Sequence, residues 1–181
     1  MGAAVSGSVQ GFDQTVRALR FNLYRGQTGD LDVGQVNGLV ALATRAHAVA
    51  GWHAEVYADA AALAPYVDRL SRMAAPLAID HRGMTQAGLP VLLDLVAAGV
   101  KVKATGFGRV KMDIPKALES IAARNQAALM FGTDMPSARA ARPLQPADID
   151  LPPARSARIW RGWLCGKTPA PSIDEPIDGR R

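Results

Sequence analysis

At 181 residues, 49% of them apolar and 20% charged, the chain has the length and composition of one domain with a sizeable core. Its 21 Lys and Arg against 16 Asp and Glu leave a formal charge of +5, but the cations are scattered and form no block, which argues against a nucleic-acid groove and makes small anions the expected partners. The lone Cys165 excludes a disulfide framework; residues 1–12 lack the charged and apolar regions of a secretory signal, and no apolar run could span a bilayer, so a cytoplasmic protein without membrane attachment is expected.

Short β-rich runs alternate with helical stretches along the chain. Residues 18–24 (ALRFNLY) read as a strand, and residues 33–50 carry Val36, Leu39, Val40, Ala43 and His47 at helical spacing behind a capping Asp32. His47, in mid-helix, reads as structural. Residues 52–57 (WHAEVY) form a second strand and 60–74 a helix capped by Asp59, with Leu63, Val67 and Leu70 on one face. A third strand, 77–80, ends at His81, and a helix follows over 89–98, with Pro90 in its first turn and Gly99 as its stop. Residues 100–105 (VKVKAT) make a fourth strand, and Asp113 and Pro115 open a helix over 114–125. After a fifth strand, 128–133, a Pro- and Arg-rich loop over 136–153 leads to a short helix, 154–164. The domain is expected to cover 1–165 and a flexible tail 166–181.

Strands recur at intervals on the order of 30 residues, the length of one βα unit, so the expected class is α/β with a parallel sheet covered by helices. A closed eight-stranded barrel takes at least about 200 residues. Five units therefore describe either an open sheet or an incomplete barrel.

In such sheets the site lies where strands end. That rule selects Arg20 and Asn22, then His53, Glu55 and Tyr57, which share one face of their strand, and Asp80 and His81. Lys103, Thr105, Arg109 and Asp134 complete the set. The polar face of the second strand is equally readable as a solvated one. Asp134, in FGTDMP, could act as general base on water, ligate a metal or merely cap a turn. Arg109, Arg139 and Arg142 stand on loops after strands, where guanidinium groups could grip carboxylates or simply be solvated.

Taken together, WHAEVYAD, LAIDHRG, VKVKATGFGR and ALMFGTDMPSARAARPL resemble consecutive strand-end motifs of the amidohydrolase superfamily, in its 2-pyrone-4,6-dicarboxylate lactonase branch. The resemblance runs from Leu19 to Leu151. It implies a (β/α)8 barrel of which these strands are the fourth to the eighth, and hydrolysis of a carboxylated lactone. In that pattern Asp134 activates water, His81 polarises the carbonyl, and His53 and Tyr57 belong to the site. Arg20 and Arg109, with Arg25 a further candidate, would hold substrate carboxylates. The branch implies either no cofactor or a single divalent metal such as zinc, for which His53, His81 and Asp134 would be the ligands. The family's first-strand His-x-His is absent, since no two of His47, His53 and His81 stand two apart. An N-terminally truncated chain is therefore expected. The alternative is a catalytically incomplete barrel that binds anions or forms a homo-oligomer.

Overall fold

A computed structural model describes residues 17–24, 31–137 and 140–151. Arg25, Arg139, the expected helix 154–164 and the tail 166–181 lie outside the described residues. Five strands form one sheet: β1 (Ala18–Asn22), β2 (His53–Tyr57), β3 (Leu77–Ile79), β4 (Lys101–Ala104) and β5 (Leu129–Phe131). They lie side by side in chain order, and every neighbouring pair is parallel. The connections carry α1 (Val33–Ala50), a 3-10 segment (Ala60–Tyr66) running into α2 (Val67–Ser71), α3 (Leu89–Ala97) and α4 (Ile114–Arg124). Parallel crossovers are right-handed, so when each strand lies beside its predecessor all the helices fall on one face of the sheet. The molecule is thus an α/β protein built from five successive βα units of (β/α)-barrel type.

The strands record this one-sided cover. Ala54 and Val56 on β2, and Val102 and Ala104 on β4, are completely buried under helices, while the alternate residues His53, Glu55, Tyr57, Lys101 and Lys103 are only partly covered. Leu92, Leu95 and Val96 of α3 and Leu118 and Ile121 of α4 fill the helix side with no residual exposure. Each large aliphatic side chain contributes about 1.5–3 kcal/mol by leaving water. The other face carries charge, as an inner barrel wall does.

α1 has the bounds read from its periodicity, with the Asp32 carboxylate accepting from the Gly34 amide and Gly51 closing the helix at φ 68°. The helix expected over 60–74 is instead a 3-10 segment followed by five α-helical residues. Pro65 lies inside it, and its missing N–H and its ring both oppose a continuous α-helix there. The loop read over 136–153 contains a one-turn helix, α5 (Pro146–Ile149), closed by reciprocal capping between Gln145 and Asp148. Among the described residues no helix is long and apolar enough to cross a membrane.

Candidate active site

The C-terminal ends of β2 to β5 bring together side chains up to 77 residues apart, from Tyr57 to Asp134. His81 follows β3 on a turn in which His81 and Arg82 both adopt left-handed backbone, φ 49° and 53°. Such backbone is strained for residues with side chains and persists only where the surroundings enforce it. Here Gly106, at φ 62°, packs flat against the imidazole; a Cβ on it would stand 2.6 Å from Nδ1. Nδ1 lies 2.7 Å from the Thr105 hydroxyl, and the Tyr57 ring meets the imidazole edge-on at 5.2 Å. Burial pushes His81 below its ordinary 6.5 against the pull of Asp134 and Asp80, so the ring is neutral at pH 7.

His81 Nε2 points towards Asp134 Oδ1, 3.9 Å away. One water oxygen can sit about 2.8 Å from both, accepting from Nε2–H and donating to Oδ1. Asp134 also has left-handed backbone, φ 55°, and its carbonyl accepts from the amide and hydroxyl of Ser137. Its other oxygen, Oδ2, accepts both Nε and Nη2 of Arg109 at 2.9 Å. Tyr57 is raised above its ordinary 10, chiefly by burial and against the adjacent Arg109 guanidinium, so it remains a hydroxyl donor.

Below these groups runs a ladder of charge. Lys103 Nζ lies 2.5 Å from Glu55 Oε1 and 3.4 Å from Asp80 Oδ1, while Arg20 Nη2 lies 2.7 Å from Asp80 Oδ2 and its guanidinium sits 5.6 Å over the Tyr57 ring. Glu55 is pulled down to about 2 by its hydrogen bond to His53, against desolvation and with help from Lys103. Both shifts act in the same direction on stability. The unfolded chain takes up protons on Glu55 near 4.5 and on His81 near 6.5, above the folded values, so stability is lost as pH falls. For Glu55, allowing for its solvent contact, the loss between pH 4.5 and about 2 is expected to be about 1–2 kcal/mol. Urea titrations at a series of pH values, with Glu55→Gln flattening the acid limb, measure it.

Several expectations are corrected by this geometry. His53 does not join His81 and Asp134: it opens β2, whereas Tyr57 closes it, which separates the two by about 13 Å along the strand. The set His53, His81 and Asp134 is therefore not assembled, and among the described residues no three His, Cys, Asp or Glu side chains gather to hold a metal. Arg109 already occupies Asp134, and Arg20 and Lys103 occupy Asp80, so the described residues do not fit a metal. Arg142 grips Asp148 through two 2.7 Å bonds, which hold Asp148 below and Arg142 above their ordinary values, and ties down α5. Thr105, Lys103, Glu55 and Asp80 were visible at strand ends, but their pairings depend on neighbouring strands. Two open recesses, each of about 510 Å³, flank α1 on the helix layer, one between Val33, Tyr66 and Arg72 and one along Val40, Thr44 and Ala48, away from the strand ends.

Gly106→Ala provides a direct test of the imidazole's packing. It is expected to cost about 1–3 kcal/mol and to displace His81, whereas Gly51→Ala, at a similar φ of 68° but with open space beside it, meets backbone strain alone. Paired thermal melts separate ring contact from strain.

Strand order, one-sided helices and polar strand ends define a (β/α)-barrel-type protein with its candidate site at the C-terminal edge of the sheet. Among solved structures the chain is similar to a candidate 2-pyrone-4,6-dicarboxylic acid hydrolase from Pseudomonas putida, with 24% identity, a TM-score of 0.55, and coverage of 82% of this chain and 64% of that one. It is similar also to an Agrobacterium tumefaciens protein solved in its apo form, at 20% identity, a TM-score of 0.55 and coverage of 77% and 58%. The chain thus spans less than two thirds of either structure, and at these identities the likeness concerns the fold. No family model matches the sequence. No curated protein matches it either.

Proposed function

We propose that the site hydrolyses a small carboxylated lactone of the 2-pyrone-4,6-dicarboxylate type without a metal. Asp134 accepts a proton from water as the water oxygen bonds to the lactone carbonyl carbon. The neutral His81 presents Nε2–H to the carbonyl oxygen, with Thr105 holding Nδ1 and the Tyr57 hydroxyl nearby. The ring C–O bond then breaks, and the departing oxygen takes the proton that Asp134 received, which restores the carboxylate. Arg20 and Arg109 flank these groups as receptors for the carboxylates.

The observation that carries this reading is the 3.9 Å approach of His81 Nε2 to Asp134 Oδ1, which sets a neutral donor and a carboxylate side by side, within reach of a carbonyl oxygen and of the water that attacks beside it. The name of the Pseudomonas putida neighbour supports the choice of substrate class. Incubating the purified chain with 2-pyrone-4,6-dicarboxylate and following pyrone absorbance tests it, with Asp134→Asn as the blank. Loss of absorbance that the blank does not share is the expected result; equal traces would reject the reading.

A second reading is favoured by the sheet's edges. β1 and β5 each expose one edge with no strand partner among the described residues, and Val33, Leu42 and Val49 of α1 are more than half exposed. Association of two copies would cover such surfaces. Sedimentation of the full chain should then show a concentration-dependent dimer.

A further inference from the structure

We propose that Thr105 is a positioning residue that decides which nitrogen of His81 carries the hydrogen: its hydroxyl donates to Nδ1 and so commits the one N–H of the imidazole to Nε2. This deepens the hydrolytic reading and rests on it for its catalytic meaning. The 2.7 Å separation of Nδ1 from the Thr105 oxygen suits donation in either direction, and the reverse bond would leave Nε2 as a bare lone pair. His81 would then be a second base beside Asp134 rather than a donor to the carbonyl oxygen. Two observations point the same way. Thr105 is 8% exposed, and its hydroxyl has no other hydrogen-bond partner among the described residues. A buried hydroxyl hydrogen without an acceptor is costly, whereas an oxygen that only donates leaves spare lone pairs at less cost. On the other side of the ring, Nε2 faces Asp134 Oδ1 at 3.9 Å, while Arg109 binds Oδ2. A hydrogen on Nε2 is attracted by that carboxylate, and a lone pair there would be repelled.

The packing around Thr105 keeps its hydroxyl on this aim. Thr105 directly follows β4, and its methyl group lies against Gly132, where a Cβ would stand 2.7 Å from Cγ2. With the methyl seated there, and χ1 stiff in a β-branched residue, the hydroxyl keeps its direction towards the ring. Gly106 closes over the same nitrogen, so Nδ1 is held between the glycine backbone and the hydroxyl. Burial keeps the ring neutral with a single hydrogen, which makes the choice between its two nitrogens consequential. The division of labour in the site then traces to Thr105: Asp134 takes the proton from water, and His81 can only donate.

The tautomer can be read directly in the full chain, which has only three histidines. Long-range proton–nitrogen NMR correlations above neutral pH, with the His81 signals identified by their loss in His81→Gln, should show the hydrogen on Nε2 and a bare, hydrogen-bonded Nδ1. A hydrogen on Nδ1 in the parent chain overturns the proposal. Three replacements of similar size then separate donation from packing. Thr105→Ser keeps the donor and should keep the pattern. Thr105→Val keeps the shape without the hydroxyl and should move the Nδ1 resonance to that of a nitrogen with no donor. Thr105→Asp offers only an acceptor and should bring a hydrogen onto Nδ1. An Nδ1 resonance that stays at the parent position in Val and Asp variants overturns the proposal. On 2-pyrone-4,6-dicarboxylate, Thr105→Val should lower kcat roughly tenfold, the scale of one neutral hydrogen bond, and Thr105→Ser should restore it. A parent-like kcat in Thr105→Val overturns the catalytic role. If the parent chain hydrolyses no lactone, the hydrolytic reading fails while the nitrogen assignments still decide whether Thr105 donates.

Discussion

Asp134→Asn is expected to lower kcat on a carboxylated lactone by about 10²–10⁴, the range supplied by a positioned general base, while leaving the melting temperature close to that of the parent. Asparagine is the informative replacement because Asp134 has φ 55°, a conformation that Asn tolerates and alanine does not. The amide keeps an oxygen for Arg109 but cannot take a proton from water. It also removes one charge from the Arg109 pair, so a modest shift in stability is expected. The signature that separates catalysis from folding is a collapse of kcat with a urea midpoint that shifts only modestly. A fall of both together would make Asp134 a structural residue of the turn that Ser137 closes.

Arg82→Met is expected to raise stability by about 1–3 kcal/mol, the opposite sign to most core substitutions. The Arg82 side chain is completely buried, and its Nε, Nη1 and Nη2 have no hydrogen-bond partner among the described residues. Its proximity to Phe107, 4.6 Å from the ring centroid, offers some cation–π attraction. Asp148 attracts it, but both carboxylate oxygens there are already taken by Arg142. Desolvation brings Arg82 down to about 10, below the ordinary guanidinium range, equivalent to a cost of about 3 kcal/mol for keeping it charged at neutral pH. The sign follows from linkage. The folded chain releases this proton before the unfolded chain does, so the burden is present in full below about pH 10 and is relieved only as pH rises through that value. Methionine has a similar length and no charge, and can keep contact with the Phe107 ring. Thermal melts at neutral pH provide the measurement; a lower midpoint for the variant would mean that the guanidinium contributes more than it costs.

Much of this protein follows from local order in the chain. Alternation of buried and partly exposed residues in WHAEVY and VKVKAT, and the cap Asp32 with Gly51 at the far end of α1, depend on neighbours a few positions away. So do the number of βα units and, through the handedness of the crossovers, their common direction. The presence of His81, Arg109 and Asp134 after strands was equally legible, because a strand's end is a local property. What only the tertiary structure decided is which of these groups meet. His53 stood in the same polar stripe as Tyr57, yet a strand's length puts them at opposite ends of the sheet. Thr105 became the partner of His81, Arg109 the partner of Asp134 and Arg142 the partner of Asp148 through the spacing of strands and loops rather than through any motif. Arg82 carried no sequence signal at all, since a buried cation and a solvated one are written with the same letter. Burial and pairing are sums over the whole fold, and they set the charge state of His81 and the company of Asp134.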